Sequence, residues 1–421
     1  MSRTFEPLIA LLSGVALLML GHGLLGTVLA VRGGLEGFGS QVLGAIGAMY
    51  FVGFLAGTYL APRLVQRVGH VRAFAFFTAL VACSALLHEL LMNAGAWMVL
   101  RLLTGLSMVG FYTIVESWLN SHAQPEHRAR VFTVYMGVNL GSLALAQQLL
   151  QSSDPSGHVL FSIAALSICA AIMPVAATRL KQPTVEGVSG LGVKALYAKA
   201  PVACSASFLS GFSQGAFWGL GAVWADTSGL GTTGVAWFMT IVILGGALLQ
   251  WPIGQVTNRM DRGHVITFVA VSAAAMAMFM QLASAHSLVL VLGAAFVYGG
   301  FAFALYPMAM ARLMDRLESR EILAGCSSLL LVHGVGASIG PVIAGGLMEH
   351  FGPPALTTWF AGIELLLGLT AWYLSKQAPA DIAHQTPFKP MIRTSPTAME
   401  MLEPQSTPPA SEAESSPTTR P

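Results

Sequence analysis

Twelve apolar runs constrain this chain more than any single residue does. They fall at about 8–31, 41–61, 73–92, 95–119, 131–152 and 158–179, and again at about 201–224, 235–256, 265–284, 287–310, 322–348 and 354–374. A helix needs roughly 20 such residues to cross a hydrocarbon core about 30 Å thick. A membrane β-barrel would show shorter, alternating segments. Charged residues make up only 10% of the chain, against about 25% in soluble domains. Too little polar material is present to cover a water-facing surface. The expected fold is an all-α membrane protein: twelve transmembrane helices in two pseudo-symmetric six-helix bundles. The first run, Leu8 to Val31, is longer than the roughly 7–15 apolar residues of a signal-peptide core. It reads as an uncleaved first helix.

Lys and Arg orient the spans, because cytoplasmic turns collect them. With the N-terminus inside, the turns after spans 2, 4, 6, 8 and 10 hold Arg67 and Arg72, Arg128 and Arg130, Lys194 and Lys199, Arg259 and Arg262, and Arg316 and Arg320. Of the 21 Lys and Arg residues, only Arg32 and Arg101 fall toward the other side. Both termini are expected in the cytoplasm. The polar segment 181–200 reads as a cytoplasmic linker between an N-terminal bundle (1–180) and a C-terminal bundle (201–376). Residues 377–421 carry nine Pro and many Ser and Thr. Such a segment cannot bury enough surface to offset its ordering entropy, so a disordered cytoplasmic tail is expected. Cys83, Cys169, Cys204 and Cys326 lie in apolar runs without a CxxC pair, as small buried packing residues would.

The two halves repeat one another. Pro62 pairs with Gly254, Gln66 with Asn258, Arg67 with Arg259 and His70 with Arg262, each 192 residues apart (254 − 62). The same offset pairs Arg128 with Arg320 and the centre of "GHG", His22, with the centre of "SQG", Gln214. Matches in several elements argue for duplication. Repeated halves around a shared binding site are a common plan of secondary transporters.

These turns resemble the major facilitator superfamily, whose turn after helix 2 carries Gly-x-Leu-x-Asp-Arg-x-Gly-Arg, with a weaker copy after helix 8. "PRLVQRVGHVR" keeps Leu64, Arg67, Gly69 and Arg72, with Pro62 for the leading Gly and Gln66 for the Asp. "GQVTNRMDRGH" keeps Gly254 and Arg259, with Asn258 for the Asp. "RLLTG" (101–105) is similar to the family's Arg-x-x-x-Gly motif in helix 4. "IVESWL", "QWPIG" and "LYPMAMA" are similar to a bacterial YcaD-like branch. The resemblance covers about residues 8–376. It implies a transporter of the bacterial inner membrane, a cytoplasmic charge cluster that latches one state, and a cavity lined by helices 1, 4, 7 and 10. Drug/proton antiporters of the family carry Gly-Pro in helix 5; here helix 5 has no Pro and "GASIGPVIAGG" lies in helix 11.

The residues that could carry chemistry are few. Arg101 sits about 9 Å along its span, at 1.5 Å per residue. A charge at that depth needs a partner or a wet cavity: it binds an anionic substrate group, tunes a proton-carrying acid, or snorkels to headgroups. Glu116, near the inner end, is either a latch acid kept ionised by nearby Arg67 and Arg128 or a proton carrier. His22 is the residue type whose intrinsic pKa lies nearest neutral; it could act as the titrating group and pair with Gln214, or both could be core hydrogen-bonding groups. Trp218, Trp224, Tyr298 and Tyr306 line the cavity or belong to packing and aromatic belts. Asn139, Gln147, Gln148, Gln250 and His333 are polar groups within spans. Glu89 reads as solvated, whereas Glu364 at mid-span lacks an evident partner. Gly137/Gly141 and Gly336/Gly340 have the spacing of close helix contacts, and Pro341 should kink its helix. Both repeated turns lack the family's Asp; Glu116 is the replacement anion expected in the first half, Asp261 or Asp315 in the second.

The expected cavity set is thus His22, Arg101, Gln214, Trp218 and Tyr298. The gating set is Arg67, Gly69, Glu116, Arg128, Gly254 and Arg259. The sequence contains no GxxxxGKS/T loop, no HExxH and no Cys/His cluster, so no enzyme, metal site or cofactor is expected. Its cations lie in short turns, without a nucleic-acid footprint. The expected function is secondary transport of a small solute by a monomer, by alternating access and coupled to protons. Efflux of hydrophobic compounds, and a non-transporting sensor or scaffold on the same fold, are the alternatives. A membrane-impermeant thiol reagent on intact cells should label a Ser156→Cys variant and spare Lys194→Cys; the opposite pattern would invert the topology.

Overall fold

The computed structural model describes residues 2–178, 183, 190–377, 386, 388, 390 and 391, without the side chains of 2–7, 125 and 319. Much of the expected linker, and all but a few residues of the expected tail, lie outside the described residues. The first half comprises α1 (Ser2–Leu35), α2 (Ser40–Val68), α3 (His70–Leu90), α4 (Ala94–His122), α5 (Arg128–Gln148), α6 (Val159–Ala170) and α7 (Ile172–Ala176). A short α8 (Val193–Lys199) precedes α9 (Pro201–Thr227), α10 (Gly231–Thr257), α11 (Arg262–Ser284), α12 (Leu288–Met314), α13 (Ile322–Phe351) and α14 (Pro354–Gln377).

Eleven helical stretches are long and apolar enough to cross a membrane. They match the sequence expectation to within a few residues. The exception is α9, which has 27 residues but is diluted by Ser205, Ser207, Ser210, Ser213 and Gln214. Ser207, Ser210 and Ser213 are fully buried, so these three face protein. Without water, backbone groups in a bilayer must bond within their own segment, which is why the apolar runs become helices.

Local chemistry sets the corners. Gly69 joins α2 to α3 at φ +82°, a conformation that strains any side chain with a Cβ. The Asn93 side chain caps α4 by accepting from the Gly95 and Ala96 N–H groups. Asp261 does the same for α11 with Gly263 and His264. The α1–α2 turn lies beside the end of α13, where Gly39 meets Glu349, so α1 begins and α14 ends on one side, here called the terminal side.

Packing repeats between the halves. In the first, α2 lies on α4, α1 on α5 and α6, and α3 on α4 and α6; in the second, α10 lies on α12, α9 on α13 and α14, and α11 on α12 and α14. The halves meet through α2 on α13 and α5 on α10. Toward the far side that contact is close: a Cβ on Gly47 would lie 2.8 Å from Gly219 Cα, and one on Gly44 2.2 Å from the Pro341 carbonyl oxygen. Across α5 and α10, the Gln148 amide donates to Thr240 Oγ1 at 2.6 Å, and Thr240 donates to the Ala144 carbonyl at 3.1 Å.

Two packing expectations are corrected. Gly336 and Gly340 do let α13 approach α9, their Cβ positions falling 2.3 and 2.1 Å from the Phe208 and Phe212 carbonyl oxygens. Gly137 and Gly141 do not serve such a contact, since a Cβ on either meets nothing within 4 Å; that face of α5 points away from its neighbours. Cys204 and Cys326 are buried as expected, but Cys83 and Cys169 are exposed, on helix faces that a bilayer would cover. The α2–α4 contact supplies a test. A Cβ on Gly105 would lie 1.9 Å from the Tyr50 carbonyl oxygen, and overpacking typically costs about 1–3 kcal/mol. Gly105→Val should lower the Tm of the purified protein by several degrees while Gly137→Val leaves it unchanged.

Candidate functional site

The close far-side contacts leave a central cavity between the halves, about 1080 Å³ counting the part open to solvent. Helices α1, α2, α4 and α5 wall it on one side, and α9, α10 and α12 on the other. Of the five residues expected to line it, His22, Arg101, Gln214 and Trp218 do so. Tyr298 is not in the wall. It is buried between α12 and α14, stacked on Phe360 with ring centroids 5.4 Å apart. One turn pair further along α12, Tyr306 reaches the cavity instead. Helical phase decides this, and apolar neighbours on every face of α12 hide that phase in the sequence.

Arg101 is the charge in the wall. It is 9% exposed, and its Cζ lies 4.7 Å from the centre of the Tyr50 ring, a cation–π distance. Its Nη1 has no hydrogen-bond partner among the described residues. The described ion pairs are Arg32–Glu36, Lys199–Glu321, Arg262–Asp315, His264–Asp261 and Arg320–Glu318, so none includes Arg101. Tyr50 also stacks on His22, with centroids 5.4 Å apart and planes 30° from parallel. One phenol ring thus touches both the cation and the imidazole of the cavity. Tyr50 went unrecognised in the sequence, where "GAMYFVGF" offers only an aromatic among small residues.

The rest of the wall is polar at a few points and apolar elsewhere. Thr27 donates to Gln147 Oε1, and the Gln147 amide donates to the Leu143 carbonyl at 3.0 Å. Gln214 donates to the Ala302 carbonyl at 2.9 Å. Trp218 stacks on Phe303 at 5.7 Å and 19°. Phe51, Phe54, Leu140 and Met239 complete much of the surface.

The expected gating residues lie on the terminal side. Arg67 and Arg259 are exposed and belong to none of the described ion pairs. Glu116 is fully buried and accepts a 3.0 Å hydrogen bond from Tyr135 Oη. Arg128 is half-buried at the start of α5. Among the described ion pairs of the second half, the buried one is Arg262 with Asp315, at 2.5 Å. Asp315 therefore supplies that half's anion to Arg262 rather than to Arg259, while Asp261 is used as a helix cap. At the matching place in the first half, His70 meets Ser117 Oγ at 2.9 Å, a neutral contact. Outside the spans, the Lys199 ammonium beside Glu321 holds that carboxyl below its usual range. Glu364 is fully buried beside Ser213 and Tyr298, away from the cavity wall. Gly254 lies beneath the ring of Phe388, and Met391 lines the cavity; neither contact has a signal in the local sequence.

Comparison with known proteins agrees with this architecture. The profile of the Major Facilitator Superfamily matches residues 203–412. The chain is 27% identical over 390 residues to the MFS-type transporter YcaD of Shigella flexneri serotype 5b, covering 91% of this chain and 100% of that one. It is 27% identical over 392 residues to YcaD of Escherichia coli O139:H28, with the same coverage. Among solved structures, the nucleoside transporter NupG superimposes with a TM-score of 0.71 at 15% identity, over 89% of this chain and 100% of that chain. A D-xylose–proton symporter superimposes with a TM-score of 0.68 at 14% identity, over 93% and 100%. At such identities these structures share the fold.

Proposed function

We propose that this chain, which belongs to the major facilitator superfamily, carries a small anionic solute across the bacterial inner membrane by alternating access. The observation that carries the reading is Arg101: a buried guanidinium in the cavity wall, held by one aromatic face, with Nη1 unpartnered among the described residues. An unpaired charge in a low-dielectric wall is costly. A carboxylate or phosphate on the solute would remove that cost, and the guanidinium fork suits either group. Trp218 and Phe303 would take the remainder of the solute.

Twelve spans in two bundles follow if α9 is counted with the eleven more apolar helices; the 192-residue repeat and the matching packing of the halves support that count. The halves would rock about the cavity. The close contacts of Gly47 with Gly219 and of Gly44 with Pro341 would belong to the far-side gate. Arg67, Gly69, Glu116 and Arg128 would shape the gate of the first half, and Gly254 and Arg259 that of the second. Lys and Arg placement favours cytoplasmic termini, and the transporter would act as a monomer. Protons are the proposed coupling ion, with His22 as carrier. His22 stacks on Tyr50 and shares the wall with Arg101, so protonation and solute charge would sense each other. The D-xylose–proton symporter of similar fold is a precedent for such coupling. A second reading, efflux of hydrophobic compounds, draws on Phe51, Phe54, Leu140 and Met239 in the same wall.

A thermal-shift screen against carboxylates, phosphates, neutral sugars and lipophilic cations separates the readings. A ligand at a hundred times its Kd should add about 2.7 kcal/mol of apparent stability. The shift should come from an anion, vanish in Arg101→Gln and weaken in Arg101→Lys. Proteoliposome uptake of that anion should lose its pH dependence in His22→Gln. A neutral or cationic ligand whose shift survives Arg101→Gln would overturn the anionic-solute reading.

A further inference from the structure

The stretch "QWPIGQVTNR" on α10 has a use that its likeness to the first-half turn does not explain. Gln250, Gly254 and Asn258 recur every four residues and so form one stripe. All three meet the C-terminal segment. The Met391 N–H donates to Gln250 Oε1 at 3.0 Å. The Phe388 N–H donates to Asn258 Oδ1 at 2.8 Å. The Phe388 ring covers Gly254 so closely that a Cβ there would lie 2.3 Å from a ring carbon. Beside the stripe, the Thr386 N–H and Oγ1 donate to Asp315 Oδ1 at 2.9 and 2.7 Å, and Arg262 donates to the Thr386 carbonyl.

Each described tail residue that has a backbone N–H thus gives it to a side chain of the second half; Pro390 has none to give. Phe388 and Met391 are 7% and 5% exposed. From Asn258 to Gln250 the stripe runs about 12 Å at 1.5 Å per residue, from the helix end toward the cavity. Met391 reaches the cavity wall. Backbone hydrogen bonds together with pockets for alternate side chains are how proteins bind extended peptides. The first half has no such stripe: the matching positions are Thr58, Pro62 and Gln66, and Pro62 can neither present a bare surface to a ring nor donate a hydrogen bond.

We propose that the α10 stripe, with Arg262 and Asp315, is a peptide-binding site, and that its ligand is this chain's own C-terminal segment, seated through Thr386, Phe388 and Met391. Seated, the segment plugs the terminal-side mouth of the cavity; it must withdraw before solute can pass. The effect on transport rests on the transporter reading above, whereas the plug itself does not. Asn258 also gains a reason. An amide oxygen accepts the Phe388 N–H without adding a second carboxylate beside Asp315.

The test reads access to the cavity directly. In full-length protein with Cys83, Cys169, Cys204 and Cys326 replaced by Ala, Leu143→Cys places a thiol in the wall. A water-soluble maleimide should label it slowly. Deleting residues 378–421, or substituting Phe388→Asp, should speed labelling about tenfold or more, as expected when local opening limits access. A synthetic peptide of residues 384–393 should restore protection to the truncated chain, and the same peptide with Phe388→Asp should not. Labelling within twofold in all variants, at unchanged Tm, would overturn the plug. If the plug holds, solute uptake should rise on truncation. Accelerated labelling with no uptake of any solute would count against the transporter reading and leave the peptide site standing.

Discussion

A buried guanidinium has to be neutralised, and two of the buried arginines of this protein, Arg262 and Arg101, meet that demand in different ways. Arg262, fully buried, is met by a carboxylate: Asp315 pairs with it, and the Ala311 and Thr386 carbonyl oxygens accept from it, leaving Nε without a partner among the described residues. A cation so enclosed is structural, and removing its carboxylate would strand the charge at a cost of about 3–5 kcal/mol. Arg101 is met by one phenol ring. It stays in the cavity wall because helices α2 and α4, which carry Tyr50 and Arg101, are locked together at Gly105 and Tyr50. The unmet part of its charge is what would make the cavity select an anion.

That locking is a matter of missing side chains. Two helices that share a lipid environment gain little by hiding apolar surface from each other, so contact has to come from close packing. Small residues supply it at Gly47 and Gly219 between the halves and at Gly336 and Gly340 within the second half. The glycine contacts between the halves lie at Gly44, Gly47 and Gly219 toward the far side and at Gly334 on Leu55 nearer the terminal side. Polar bridges such as Gln148 to Thr240 add direction to an interface that dispersion alone would leave free to slide.

Duplication accounts for the frame and divergence for the function. The two halves pack alike, yet the same corner is neutral in one and ionic in the other: His70 on Ser117 in the first, Arg262 on Asp315 in the second. The cavity is uneven in the same way. His22 stacks on an aromatic ring, whereas Gln214, its partner in the repeat, is tied to a backbone carbonyl. A binding site between unlike halves can treat charge and hydrogen bonding separately.

The sequence by itself determined the helices, because long continuous apolar runs, unlike the short alternating strands of a barrel, satisfy their backbone in a bilayer as helices, and run length then sets the spans. It also determined the repeat, and it marked His22, Arg101, Gln214 and Trp218, since polar or large aromatic groups inside apolar runs stand out by composition. It misjudged Gly137 and Gly141, which meet no neighbouring helix. Only the tertiary structure decided which way each helix turns. That rotation took Tyr298 out of the cavity and put Tyr50 and Tyr306 into it, and it gave Asp315 to Arg262 instead of Arg259. It also brought Met391 against Gln250, 141 residues away in the chain. Helical phase is set by the shapes of neighbouring helices, and in a helix that is apolar all round no periodicity in the sequence records it.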